Sequence, residues 1–389
     1  MEMDNDFQNI SSIHKENTIN EDFDISNNYS NLSNKFQNLY SKKFNLEEIE
    51  KGLNIDFQEK NKNNKQKQRE NKEENKQEEN KNEKEKEKDK FLNIYSTNKT
   101  KMPLIGLGTH RLIDVENSVR NAVKLGYRCF DTASYYKNED IVGRVLNECI
   151  SEGLVTREEL FITTKLWNDE HRDPVNALKH SLKRMNMEYV DLYLIHFPLG
   201  KIVDGKLIKQ IPLHKTWPKL EDCVSLGYCR HLGVSNFQVQ ILIDLLSYAN
   251  VTPAVNEIEL HPFLCQDDLI FFCKLNKIQV IAYNCFVKGG CYMRSEEKEK
   301  YDIFSNEIIL RLAKKYEKTP AQIVLNWHLK RDICVIPRSS NIARQEENFK
   351  SYQFKMLDEE YLEISNLNCN KRFNTTKDRP FSAGIEIFA

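Results

Sequence analysis

From about residue 100 onward, short apolar runs rich in β-branched residues alternate with longer stretches whose apolar positions recur at helical spacing. The runs are Leu104–Leu107, Cys129–Thr132, Leu160–Lys165, Val190–His196, His231–Val234, Val255–Glu259, Gln279–Tyr283 and Cys334–Ile336. Between them lie helical patterns such as Asn117–Leu125, Pro174–Met185, Gln238–Ser247, Asp267–Asn276 and Ile308–Tyr316. Strand–helix alternation implies a parallel sheet with right-handed crossovers. Eight repeats in roughly 250 residues match an α/β fold of the (β/α)8 TIM-barrel type, whose chemistry sits at the C-terminal ends of the strands. The predicted barrel domain is 98–389.

The first 97 residues have another texture. From Gln58 to Lys90 every residue is Glu, Lys, Asn, Gln, Arg or Asp, and Glu59–Lys90 holds twelve basic and ten acidic residues. A segment with nothing to bury cannot offset the entropy of ordering it, so residues 1–97 are predicted to be a disordered, low-complexity extension. Residues 1–57 are Asn/Ser/Asp-rich with isolated aromatics, and Phe36–Leu53 has a weak amphipathic pattern. That leaves room for an unknown protein partner, against a plain solvated tail.

Charge narrows the partners. The formal net charge is −1, which gives no reason to expect nucleic acid or an anionic membrane surface. No apolar run approaches the ~20 residues of a membrane helix, and the polar N-terminus lacks a signal-peptide pattern. The ten cysteines include no C-x-x-C and no Cys/His cluster with metal-ligand spacing, and most sit in apolar runs. Buried reduced thiols in a cytoplasmic protein, without a metal, are the simplest expectation.

Three successive strand ends carry chemistry. After the second run comes Asp131-Thr132-Ala133-Ser134-Tyr135-Tyr136-Lys137-Asn138-Glu139. The third ends in Thr164-Lys165-Leu166-Trp167, and the fourth in Ile195-His196-Phe197-Pro198. Together they suit carbonyl reduction, in which hydride arriving at carbon leaves an oxygen needing a proton. Tyrosine is a weak acid that a nearby ammonium makes stronger. The expected roles are Tyr136 as acid, Lys165 as its tuner, Asp131 as the anchor that keeps the lysine charged, and His196 as orienter of the carbonyl oxygen. Each alone reads as an ordinary rim or core residue; four together at consecutive strand ends do not.

These motifs resemble the aldo-keto reductase family. G-Y-R-x-x-D-T-A-x-x-Y-x-N-E, T-K-L-W and D-L-Y-L-I-H-F-P look like its catalytic signatures, in order, and Met102–Thr109 looks like its opening strand. Gly233-Val234-Ser235-Asn236-Phe237 and Ile336-Pro337-Arg338-Ser339 look like its cofactor signatures. By the family's spacing the acid is Tyr136 and not Tyr135. The resemblance spans residues ~100–375 and implies NADPH/NADP+ lying along the barrel rim; no G-x-G-x-x-G marks a Rossmann domain. It implies Ser235, Asn236 and Glu257 at the nicotinamide carboxamide, and Tyr283 stacked on the ring. It further implies cofactor contacts from Arg338, Ser339, Asn341, Arg344, Glu347 and Asn348, of which Arg338 and Arg344 offer forked donors suited to the adenosine 2′-phosphate and so favour NADPH over NADH. His110, Trp167 and Phe197 are expected to line the substrate pocket. The implied substrate is a small aldehyde or ketone, handled by a monomer.

Four departures from the family pattern matter. The usual Asn-Gln pair is Asn256-Glu257; an ionised carboxylate only accepts hydrogen bonds, and its charge should weaken NADPH relative to NADP+. The usual Tyr-Ser-Pro-Leu-Gly loop reads Tyr283-Asn284-Cys285-Phe286-Val287. His110 and Phe197 stand where Trp is frequent, and Arg338 where Lys is frequent. The altered loop and the N-terminal extension keep a rival reading open: a cofactor-binding regulatory subunit or pseudoenzyme on the same fold.

Overall fold

The structure is a computed structural model, and it describes residues 91–93, 101–200, 202–203, 206–207, 211–287, 295–377, 379, 381 and 386–388. The chain divides into two units, 1–80 and 81–389. The first, with most of the predicted extension, lies outside the described residues.

The second unit is built on eight strands: β1 (Gly106–Gly108), β2 (Cys129–Asp131), β3 (Phe161–Leu166), β4 (Val190–Ile195), β5 (Cys229–Ser235), β6 (Val255–Glu259), β7 (Gln279–Tyr283) and β8 (Cys334–Val335). Each pairs in parallel with the next, in chain order. A parallel bridge between Ile105 and Val335 joins first to last, with Val335 N donating to Leu104 O over 2.9 Å. The eight runs read from the sequence therefore close a (β/α)8 barrel. Backbones meet tightly at this seam: a Cβ on Gly108 would lie 2.6 Å from the Ile336 carbonyl oxygen, so only glycine fits.

Among the described residues, ten helices of eight residues or more follow the strands, α1 (Val115–Leu125), α2 (Glu139–Ser151), α3 (Pro174–Met185), α4 (Leu213–Ser225), α5 (Val239–Tyr248), α6 (Asp267–Leu275), α7 (Glu307–Tyr316), α8 (Pro320–Leu329), α9 (Ile342–Phe349) and α10 (Asp358–Ser365), with one shorter helix at Ser295–Lys300. Their ends carry the expected chemistry. Asp114 and Asp173 cap α1 and α3, Gly126 and Asn186 close them in the left-handed conformation, and Thr319 with Gln322 forms a capping box before Pro320. No described helix is long and apolar enough to cross a membrane.

Strand alternation divides the core in two. Outward residues such as Phe130, Ile162, Tyr193 and Val234 pack beneath the helices in the main cluster. Inward residues Cys129, Phe161, Leu192, Leu194, Val255, Ile281 and Cys334 fill the barrel as a second cluster. Met102 belongs to this inner cluster and is fully buried. It lies on a two-stranded hairpin in which Phe91–Asn93 pairs antiparallel with Lys101–Pro103. Among the described residues, strand pairing thus starts at residue 91.

Candidate active site

The inward register also builds the site. Two residues beyond Cys129 on the same face comes Asp131; beyond Phe161 and Thr163 comes Lys165; beyond Leu194 comes His196; beyond Val255 comes Glu257; beyond Ile281 comes Tyr283. A period of two thus carries the apolar barrel filling up to a polar layer at the C-terminal rim. Above it opens a cavity of about 600 Å³ whose lining includes Asp131, Tyr136, His196, Ser235, Asn236, Glu257 and Tyr283.

Lys165 is the hub. Its Nζ donates to Asp131 Oδ2 at 2.5 Å, to the Thr132 carbonyl at 3.2 Å and to Tyr136 Oη at 3.3 Å. Glu257 Oε1 lies 3.4 Å away. Burial opposes the lysine's charge, but Asp131 and Glu257 outweigh it and hold the ammonium above the usual lysine range. Burial raises the Asp131 carboxyl, with Lys165 pulling the other way. Burial also lifts the Tyr136 phenol, and Lys165 is the main influence opposing that lift.

Tyr136 reaches this position through a 3-10 turn, Ser134–Tyr136, followed by Lys137 at φ 57°. Asn138 latches the turn: it accepts from Thr132 Oγ1 and donates to the Thr109 carbonyl, both at 2.9 Å. Glu139 ties the start of α2 to its neighbours by accepting from Thr164 Oγ1 at 2.6 Å and Arg184 Nε at 2.7 Å. Tyr135 points elsewhere, stacked on Trp167 with ring centroids 3.8 Å apart.

His196 is buried and its Nδ1 has no hydrogen-bond partner among the described residues. Burial, with Lys165 and His110 nearby, holds its pKa well below the usual histidine range, so the ring is neutral. His110 is lowered to about 4, chiefly by burial, and its ring lies 4.8 Å from that of Tyr136. Trp167 and Phe197 pack on His196, and Phe381 packs on both of them, to make an aromatic wall.

Ser235, Asn236 and Tyr283 sit together but are engaged with one another. Tyr283 Oη donates to Asn236 Oδ1 at 2.6 Å, Asn236 Nδ2 donates to the His196 carbonyl at 2.9 Å, and Ser235 Oγ donates to the Glu257 carbonyl at 2.9 Å. At the far end, Arg338, Ser339, Arg344, Glu347 and Asn348 line the same cavity. Arg338 is exposed and donates to the carbonyls of His110 and Arg111. Arg344 is exposed at the start of α9. The Asn341 side chain accepts from Arg344 N and caps α9, and it is not among the described residues that line the cavity. For Glu257, expected as an ionised carboxylate, burial and the charge of Asp131 push the carboxyl well above the usual carboxylate range, against the pull of Lys165.

Asn374, Arg379 and Phe381 complete the lining from the C-terminal segment, where no periodicity announces them. In the altered loop, Asn284 and Val287 take φ of 55° and 63°. For a β-branched valine that conformation is strained, and it explains why glycine is usual there.

The Aldo/keto reductase family matches residues 104–368. The NADP-dependent D-sorbitol-6-phosphate dehydrogenase of Malus domestica is 36% identical over 305 residues, 74% of this chain and 97% of that protein. Aldose reductase C of Dictyostelium discoideum is 36% identical over 301 residues, 72% of this chain and 90% of that protein. Among solved structures, a Bombyx mori aldo-keto reductase in complex with NADP superposes with a TM-score of 0.68 at 35% identity, covering 74% of this chain and 95% of that one. The chain belongs to the aldo/keto reductase family, and it is an oxidoreductase of that family.

Proposed function

We propose that the protein is an NADPH-dependent carbonyl reductase that converts an aldehyde or ketone to an alcohol, with Tyr136 as proton donor. The observation that carries this reading is the buried Lys165 ammonium, 2.5 Å from Asp131 and 3.3 Å from the Tyr136 hydroxyl, both of which line an aromatic-walled cavity.

The residues suit the cofactor. One cavity runs from the Lys165 group to two exposed guanidiniums beside a helix N-terminus, a setting for phosphate. Arg338 and Arg344 would take the 2′-phosphate, with Ser339, Glu347 and Asn348 beside them. Ser235, Asn236, Glu257 and Tyr283 would hold the nicotinamide end. Bound there, NADPH supplies the hydride.

The chain supplies the proton and the orientation. The phenol, lifted by burial, stays protonated until a substrate oxygen demands the proton. As the proton leaves, negative charge grows on Tyr136 Oη within reach of the ammonium, which stabilises it. Asp131 keeps that ammonium charged and fixed. Neutral His196 directs the carbonyl oxygen toward Tyr136, while Trp167, Phe197 and His110 shape the pocket and exclude water. The protein acts as a monomer in the cytoplasm, a reading supported by free described cysteines, eight of them buried.

The test follows NADPH absorbance with a reactive aromatic aldehyde. Wild type consumes cofactor, and Tyr136→Phe loses about 10²–10⁴-fold in rate while binding NADPH by fluorescence as before. Wild-type turnover in the mutant would remove Tyr136 from its role. Binding without turnover in both would support the regulatory-subunit reading.

A further inference from the structure

Two carboxyls converge on one buried ammonium. Asp131 takes the short contact with Lys165 Nζ, 2.5 Å, and Glu257 the longer one, 3.4 Å. The three side chains are 4%, 3% and 0% exposed for Asp131, Glu257 and Lys165, so water screens none of them. One ammonium balances one carboxylate; a second ionised carboxylate would leave net negative charge in the interior, which is costly. The site avoids this cost if one carboxyl keeps its proton. The contact lengths favour Glu257 as the one that does, and its Oε2 is buried without a hydrogen-bond partner among the described residues. Glu257 also lines the cavity, at the end where Asp131, Tyr136, Ser235 and Asn236 lie.

We propose that Glu257 is a proton-carrying residue at the nicotinamide end of the cofactor site that sets the preference between oxidised and reduced cofactor. Neutral, it leaves the two forms alike; ionised, it favours the oxidised form. This rests on the proposed function. The physical reason is charge. NADP+ and NADPH share their phosphates and adenosine and differ in the nicotinamide ring, positive in one and neutral in the other. A carboxylate at that end attracts only the first.

Other ionisable groups whose charges reach this position are Asp131 and Cys129 from β2, Tyr136 from the turn after it, Lys165 from β3 and Tyr283 from β7. Burial raises the thiol and both phenols, which stay neutral, so Asp131 and Lys165 are the two charges that set the ionisation of Glu257. Burial and Asp131 prevail over Lys165 and raise it above the usual carboxylate range. The preference therefore shifts toward the oxidised cofactor as rising pH ionises Glu257.

The experiment measures dissociation constants of NADPH and NADP+ by protein fluorescence from about pH 6.5 to 9.5, for wild type and Glu257→Gln. The ratio cancels every titration that the two cofactors share. In wild type the ratio of the NADPH to the NADP+ constant should rise by roughly tenfold across this range, and in Glu257→Gln it should stay level. A ratio with the same pH course in both proteins overturns the proposal. Infrared spectra of the cofactor-free protein give an independent reading: a carboxylic-acid carbonyl band at neutral pH that Glu257→Gln lacks. Absence of that band in wild type also overturns it. If neither cofactor binds at any pH, the proposed function falls, and this preference falls with it.

Discussion

Tyr135 and Tyr136 leave the same turn in different directions, one onto the ring of Trp167 and the other onto the Lys165 ammonium. What separates a pocket wall from the proposed acid is thus one residue of register, fixed by the Asn138 latch. The histidines show a second consequence of burial. His110, His171, His231 and His328 are each lowered to about 4, burial being the first cause in every case. An unfolded histidine titrates near 6.5, so between these values the unfolded chain binds more protons than the folded one. Stability contributed by these neutral rings is present above about pH 6.5 and is lost as pH falls toward 4. Urea unfolding at pH 7 and pH 5 should show a lower midpoint at pH 5, by an amount worth several kcal/mol in total. Equal midpoints would mean that the rings already accept protons in the folded state.

At the scale of elements, α2 and α3 approach closely because Gly143 faces the backbone of Met185: a Cβ at 143 would overlap the Met185 carbonyl oxygen and Cα. Asn147 holds the same contact by donating to the carbonyls of Met185 and Asn186, both at 3.0 Å. Gly143→Ala should force the helices apart and cost about 1–3 kcal/mol, read from chemical denaturation. Since α2 begins at Glu139, directly after the turn that carries the proposed acid Tyr136, the rate should fall as well. The strands were legible in the sequence because each is a short apolar run between helical patterns. α8 was less so: seven of its ten residues are buried, which erases the one-faced pattern. Pro218 inside α4 obscured that helix. The Lys165 group was legible because consecutive strand ends carry it. The partnership of Glu257 with Lys165 was not, since it forms across the barrel between residues far apart in the chain. The same holds for Asn374, Arg379 and Phe381, whose stretch has no period to read.

At the scale of the whole molecule, the question is where the working unit starts. Every described residue lining the cavity lies at Gly108 or beyond, and the family match begins at residue 104. The described structure begins earlier, with Phe91–Asn93 paired to Lys101–Pro103. This hairpin places Met102 in the inner barrel cluster, with Cys129, Phe161 and Ile281. Two deletions distinguish chemistry from support. Removing residues 1–90 should leave kcat, KM and the denaturation midpoint unchanged, because the hairpin and the site both remain. Removing residues 1–103 should leave the cavity lining intact but expose the barrel interior where Met102 was. Full burial of a methionine side chain is worth about 1.5–3 kcal/mol, so that deletion should lower the midpoint by at least this much. A fall in kcat for the shorter deletion would give the N-terminal residues a part in the chemistry. An unchanged midpoint for the longer one would show that the barrel interior does not depend on the hairpin.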